Sequence, residues 1–145
     1  MINFAKIRLI VVGKIKKTWI REGINIYLKR LPKLVIQEIK DSTPIKEGEQ
    51  ILSMLKSRDY LIILTEEGQQ YTTIDFTNFL NQINSHNVVF VIGGAEGISQ
   101  KLKQQASLQL SLSPMTFPHE VARLLLIEQL YRAKTILQGS NYHKF

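Results

Sequence analysis

The chain predicts an α/β domain, a mostly parallel sheet with helices on both of its faces. Three observations lead there. Five short runs of Val, Ile, Leu and Phe are each bounded by glycine, proline or polar residues. Stretches with apolar residues at helical spacing separate them. The runs are apolar throughout rather than alternating, as in strands buried on two faces by βαβ crossovers.

Ile7–Val12 is the first strand, closed by Gly13. Thr18 is placed to cap a helix whose Trp19, Ile20, Ile24, Tyr27, Leu28 and Leu31 recur at helical spacing until Pro32 stops it. "LVIQEIK" (34–40) is the second strand. Thr43 followed by Pro44 is an N-cap with proline at the first helical position, opening a helix through Ile51, Leu52 and Leu55. "YLIILT" (60–65) is the third strand, ending in the polar "EEGQQ". Thr72 and Asp75 resemble a capping box for a helix with Phe76, Phe79, Leu80 and Ile83. "VVFVIGG" (88–94) is the fourth strand, 99–106 a short helix and "LQLSLS" (108–113) the fifth strand. A long helix over 118–137 follows, and Gly139 starts the tail "GSNYHKF". There is no internal repeat and no linker, so the expectation is one domain over 1–145.

Composition removes several function classes. The 145 residues contain no cysteine, which excludes disulfides, thiolate zinc sites and cysteine nucleophiles. No metal site is expected. No apolar run approaches the ~20 residues that span a bilayer. "MINFAKIRLIVVGKIKK" has a short apolar core without a small-residue cleavage site, so it reads as strand, and a cytoplasmic location is expected. The net charge of +7 is unevenly placed. Residues 1–33 hold nine Lys/Arg against Glu22 alone, whereas 34–145 hold ten bases and eleven acids. Lys14, Lys16, Lys17 and Arg21 therefore form a candidate surface for a polyanion, most naturally RNA; a solvated basic face is the plainer alternative.

Open parallel sheets bind ligands beyond the carboxyl ends of their strands. Those ends are 64–69, 93–97 and 112–117, all rich in glycine, small polar residues or proline. By itself "GGAEG" is a weak signal: it lacks the Lys-Ser/Thr of a P-loop and the order of the dinucleotide fingerprint. The long last helix is apolar over more than one ~100° stripe. Either it is central in the fold or a second copy covers it, and a homodimer is expected.

Taken in order, "VVGK" and "W…G…Y.KR" at 11–30, "L…EG" at 64–68, "FVIGGAEG" at 90–97, "LSLSPMTFPHEVAR" at 110–123, "EQLYRA" at 128–133 and "YHK" at 142–144 resemble the RlmH (YbeA) family end to end. These are 23S ribosomal-RNA pseudouridine N3-methyltransferases of the SPOUT superfamily. The resemblance implies an α/β fold with a C-terminal trefoil knot and a bent S-adenosyl-L-methionine held by the three strand-end loops. It implies that Leu64, Gly93, Leu112, Ser113, Pro114, Met115, Thr116 and Phe117 contact that cofactor. It also implies that the "YHK" tail lies at the active site. The chain departs from the family at Thr65, where Asp is frequent, at Pro114, where Lys or Ala is frequent, and in the short segment "DSTP".

Methyl transfer to a pyrimidine N3 gains mainly from orientation. The nitrogen is protonated at neutral pH, so a base or a nearby cation must help it ionise. Tyr142, His143 and Arg132 are the candidates. Each has a plainer role, a loose tail for the first two and a helix-surface pair with Glu128 for Arg132. His119 is as compatible with packing as with chemistry. The rival functions are a non-enzymatic RNA-binding α/β module and a flavodoxin-like nucleotide-binding protein.

Overall fold

The computed structural model describes residues 1–144; Phe145, at the end of the tail, lies outside the described residues. One sheet contains β1 (Ile7–Val12), β2 (Val35–Ile39), β3 (Tyr60–Gln70), β4 (Val88–Ile92) and β5 (Leu108–Ser111). Its strands are parallel in the order β2-β1-β4-β3-β5. Around it lie α1 (Thr18–Leu28), α2 (Pro44–Met54), α3 (Thr73–Gln82), α4 (Gln100–Gln105) and α5 (His119–Leu137). Successive strand residues point to opposite faces. Leu9, Val11, Ile62 and Phe90 therefore enter a core with α1, α3 and α5. Ile10, Val12, Ile63, Val89 and Val91 enter another with α2 and α4. Burial on both faces is why the strands read as unbroken apolar runs.

The caps at Thr43 and Thr72 are as the side chains predict, and Ser99 proves to be a third. Thr43 Oγ1 accepts from the Lys46 amide, Thr72 Oγ1 from Asp75 and Ser99 Oγ from Leu102. The start of α1 differs. Thr18 is the first helical residue, and Lys17 is the N-cap with no capping side chain. Glu120, from α5, instead fixes the chain just before the helix: its Oε1 takes the amides of Lys16 (2.9 Å) and Lys17 (3.1 Å). Trp19, expected on the buried stripe of α1, is 62% exposed; Ile20 and Ile24 are buried, with Tyr27 and Leu28 packed against the same core.

The segment "EEGQQ" is strand rather than loop. β3 runs on to Gln70, and after a register shift between Leu64 and Gln69 it pairs again with Leu110 and Ser111. Gly68 permits that closeness, since a Cβ there would lie 2.6 Å from the backbone carbonyl of Gln109.

Helix α5 is wedged between α1 and α3, which buries Leu126, Ile127, Leu130 and Ala133. Much of its apolar circumference is thus covered within one subunit. Leu125 stays exposed, as do Trp19 and Ile26 of α1. Among the described residues, no helix is long and apolar enough to cross a membrane.

Candidate functional site

The carboxyl ends of β3, β4 and β5 and the first turn of α5 enclose a cavity of about 560 Å³. That volume suits a nucleoside-sized ligand. Leu64, Thr65 and Glu66 form one wall, Gly93, Gly94 and Ala95 the floor, and Leu112, Ser113, Met115, Thr116 and Phe117 the third side. His119 and Ala122 close it from α5. Of the eight residues implied to touch the cofactor, Pro114 is not at the wall. The reason is local: Ser113 accepts the Met115 amide through Oγ (3.0 Å) and the Ser111 hydroxyl through its carbonyl (2.9 Å), and Pro114 sits exposed on the outside of that bend.

The glycine loop has two physical causes. Gly97 takes a left-handed φ of +86° and donates its amide to the Gly94 carbonyl at 3.0 Å, making a tight turn. A Cβ on Gly93 would meet Ile98 Cγ1 at 2.6 Å and the Gly97 carbonyl oxygen at 3.1 Å. Gly93 is therefore bare first so that the loop can close on itself, and the cavity gains an unobstructed backbone edge.

Charged groups border the cavity. Glu66 is held below the usual carboxylate range, first by its own backbone amide, then by the Thr116 hydroxyl and the Lys103 ammonium. Lys103 lines the same end. His119 lines the cavity from the start of α5. The adjacent Glu120 is also held low, chiefly by the Lys17 amide and then by that of Lys16, against the opposing effect of its burial. Lys14, Lys16, Lys17 and Arg21 are all exposed, and Arg21 donates to the Ile15 carbonyl. Through Glu120 this basic segment is tied to its own subunit's cavity rim, a link that no local sequence signal marks.

Tyr142, His143 and Arg132 form a second cluster, away from the cavity. Arg132 Nε donates to both oxygens of Glu128 (3.0 and 3.1 Å). Its Nη1 lies 3.1 Å from His143 Nδ1, which must accept because a guanidinium only donates. The Tyr142 ring stands edge-on to Tyr131 and under the Arg132 guanidinium, with centroid distances of 4.9 and 4.8 Å. Its hydroxyl is 3.3 Å from that of Tyr27. Burial, then the Tyr27 hydroxyl and the Glu128 charge, push the phenol far above its ordinary range, with Arg132 opposing. Tyr142 is therefore a donor at neutral pH, not a base. Arg132 is held more firmly as a cation by Glu128.

None of these three lines the cavity. Helix α5 carries His119 near one end and Arg132 thirteen residues on, about 20 Å along the axis at ~1.5 Å per residue. Within one subunit the tail and the cavity therefore lie apart. Among the described residues no group of three or more His, Cys, Asp or Glu is placed to hold a metal.

A parallel sheet with a glycine-floored cavity beyond its strand ends defines an α/β protein with a small-ligand site where such sheets hold their ligands. The comparisons narrow that class. A family described as "Predicted SPOUT methyltransferase" matches residues 5–143, and the chain belongs to this family of methyltransferases. Relatives named "Ribosomal RNA large subunit methyltransferase H" include one from Prochlorococcus marinus (strain NATL2A), 54% identical over 144 residues covering 99% of each chain. Those from Parasynechococcus marenigrum (strain WH8102) and Synechococcus sp. (strain CC9311) are 52% and 51% identical over 142 residues, 98% of this chain and 99% of each relative.

Proposed function

We propose that this chain is a cytoplasmic, S-adenosyl-L-methionine-dependent methyltransferase acting on N3 of a pseudouridine in 23S ribosomal RNA. It works as a homodimer whose active site is shared between subunits. One observation carries the reading: the cavity and the Tyr142–His143–Arg132 cluster are each well built, yet lie at opposite ends of α5. Antiparallel pairing of two α5 helices about a two-fold axis would set each tail beside the partner's cavity. Exposed Trp19, Ile26 and Leu125 are suitable contacts for such a pairing.

The cavity fits the cofactor. Its apolar lining suits adenine, the glycine floor admits close backbone approach, and Glu66 can accept from ribose hydroxyls. When bound, the cofactor supplies an already activated sulfonium methyl. The protein's own residues then position and ionise the target. Lys14, Lys16, Lys17 and Arg21 hold phosphates at the cavity rim. Arg132 offers a fixed positive charge beside which N3 gives up its proton to solvent water, and the Tyr142 phenol donates to the base. A C-terminal trefoil knot would make the cavity loops rigid before any ligand arrives.

Two measurements test this. Calorimetric titration with S-adenosylhomocysteine should show specific binding; no binding would favour the RNA-binding or flavodoxin-like alternatives. Co-expressing a chain lacking residues 141–145 with a cavity-blocked Leu112→Arg chain should restore about one quarter of wild-type methylation of ribosomes, since random pairing makes half the dimers mixed, each with one complete site. Each variant alone should be inactive. No restoration would refute the shared site.

A further inference from the structure

The basic residues around α1 and α5 fall into two groups at opposite ends of that helix pair. The two helices run side by side in the same direction. Glu120, at the start of α5, takes the amides just before α1, while Tyr131 and Lys134 meet Tyr27 and Arg30 at its far end. Lys14, Lys16, Lys17 and Arg21 belong to the cavity end. Arg30, Lys33 and Lys134 lie at the tail end, and the function proposed above gives them no part.

Their surroundings are poor in negative charge. Residues 23–37 and 129–145 together hold six Lys/Arg and no Asp or Glu. Glu128, just before the second stretch, is taken by Arg132. Among the described residues, none of Arg30, Lys33 and Lys134 forms an ion pair. The carboxyl end of α1 accounts for one of these charges, since Lys134 Nζ donates to the Arg30 carbonyl at 2.8 Å. Even that ammonium keeps two further donors.

The group is also placed. The Arg30 guanidinium lies over the Tyr131 ring, 5.3 Å from its centroid, and Tyr131 stands edge-on to Tyr142 of the tail at 4.9 Å. Stacking restrains a guanidinium while leaving its N–H fork for a phosphate. Lys33 and Lys134 border a groove of about 210 Å³ whose apolar wall is Ile2, Phe4, Leu31 and Pro32. Cations beside an apolar wall match a sugar–phosphate unit, whose phosphate meets the charges while ribose carbons meet the wall.

We propose that Arg30, Lys33 and Lys134 form a second RNA-backbone site, one that serves the tail rather than the cavity of its own subunit. The inference rests on the shared-site reading above. Under antiparallel pairing, the cavity end of one α1 lies beside the tail end of the other. The target nucleotide is then bracketed: the cofactor-binding subunit holds the backbone on one side of it, and the tail-bearing subunit holds the other.

The test neutralises two of these charges in the double variant Arg30→Gln, Lys33→Gln. Its control, Lys46→Gln with Lys101→Gln, removes the same net charge from exposed lysines of α2 and α4, which pack on the other face of the sheet. With ribosomes as substrate, R30Q/K33Q should raise KM about tenfold and leave kcat within about twofold, as for binding that substrate and transition state share. The control should raise KM less than about twofold. The log–log salt slope of RNA binding should fall in magnitude by roughly 1.4–1.8 in R30Q/K33Q, for two lost phosphate contacts. Calorimetry with S-adenosylhomocysteine and thermal unfolding of both variants keep a cofactor or folding defect from being read as an RNA one. In the mixed dimer with one complete site, R30Q/K33Q should raise KM about tenfold on the tail-bearing chain and less than about threefold on the other. Equal rises in variant and control would reduce the effect to bulk charge and overturn the proposal. A lower kcat at unchanged KM would also overturn it, since Arg30 would then act on the tail through Tyr131. Equal effects from either chain of the mixed dimer would overturn the assignment to the tail's subunit. Wild-type protein inactive on ribosomes would fail the functional reading itself, a distinguishable result.

Discussion

Replacing Glu120 with alanine should loosen the basic segment and the α5 start together. The carboxylate accepts two amides, at 2.9 and 3.1 Å, from a loop about a hundred residues away in the chain. Hydrogen bonds to a charged group contribute about 1.5–3 kcal/mol each, but the flanking lysines are exposed and water can recover part of the loss. About 2–3 kcal/mol in total is therefore expected for E120A, or a fall in Tm of about 5–10 °C in a chain of this size. Glu120→Gln keeps an acceptor without the charge and should cost about half as much. Because Glu120 titrates below its ordinary value of 4.5 when folded, its charge contributes fully above that value. The contribution fades as pH falls through the lowered folded value. Urea melts of wild type and E120Q at equal protein concentration should differ at pH 7 and converge as pH falls through the lowered folded value. A loss under about 0.5 kcal/mol in E120A, or a gap that persists unchanged in acid, would refute the anchoring role.

Three further outcomes are expected. Charge reversal at Lys16 and Lys17 should weaken RNA binding and lower the magnitude of the log–log salt slope by roughly 0.7–0.9 per lost phosphate contact, with S-adenosylhomocysteine affinity unchanged; an unaltered slope would mean a solvated face. Gly68→Ala should destabilise the fold by about 1–3 kcal/mol in denaturant melts, because its Cβ meets rigid backbone of β5 rather than a side chain. Ultraviolet titration comparing wild type with Tyr142→Phe should show no Tyr142 ionisation up to about pH 10, since its surroundings raise rather than lower the phenol; a phenolate appearing near neutrality would reinstate Tyr142 as a base.

Most of the sheet was legible because its signals are local. Continuous apolar runs, the caps at Thr43 and Thr72 and the strand-end loops at 93–97 and 112–117 all depend on residues within a few positions of one another. What escaped depends on distant pairs. Thr18 looks like a cap until Glu120 is brought across to take the amides before it. "EEGQQ" looks like a loop because nothing near it announces that β5 will approach Gly68 so closely. Trp19 falls at helical spacing with core residues, but spacing does not say how wide the buried stripe is. The tail motif points toward chemistry, while its distance from the cavity follows from the path of α5 over the sheet.

The position of α5 between its two functional ends also constrains how the gene can change length. Each residue inserted into a helix advances everything after it by about 1.5 Å and swings it by about 100°. One extra residue between Ala122 and Arg132 would leave the cavity wall intact while turning Arg132 and Tyr142 toward a different neighbour. Even a four-residue insertion, which nearly restores the angle, would move the tail by about 6 Å. The turns at 40–43 and 56–59 carry no such phase relation. Relatives built on this plan should therefore accumulate insertions and deletions in those turns and keep the spacing from His119 to Arg132 invariant.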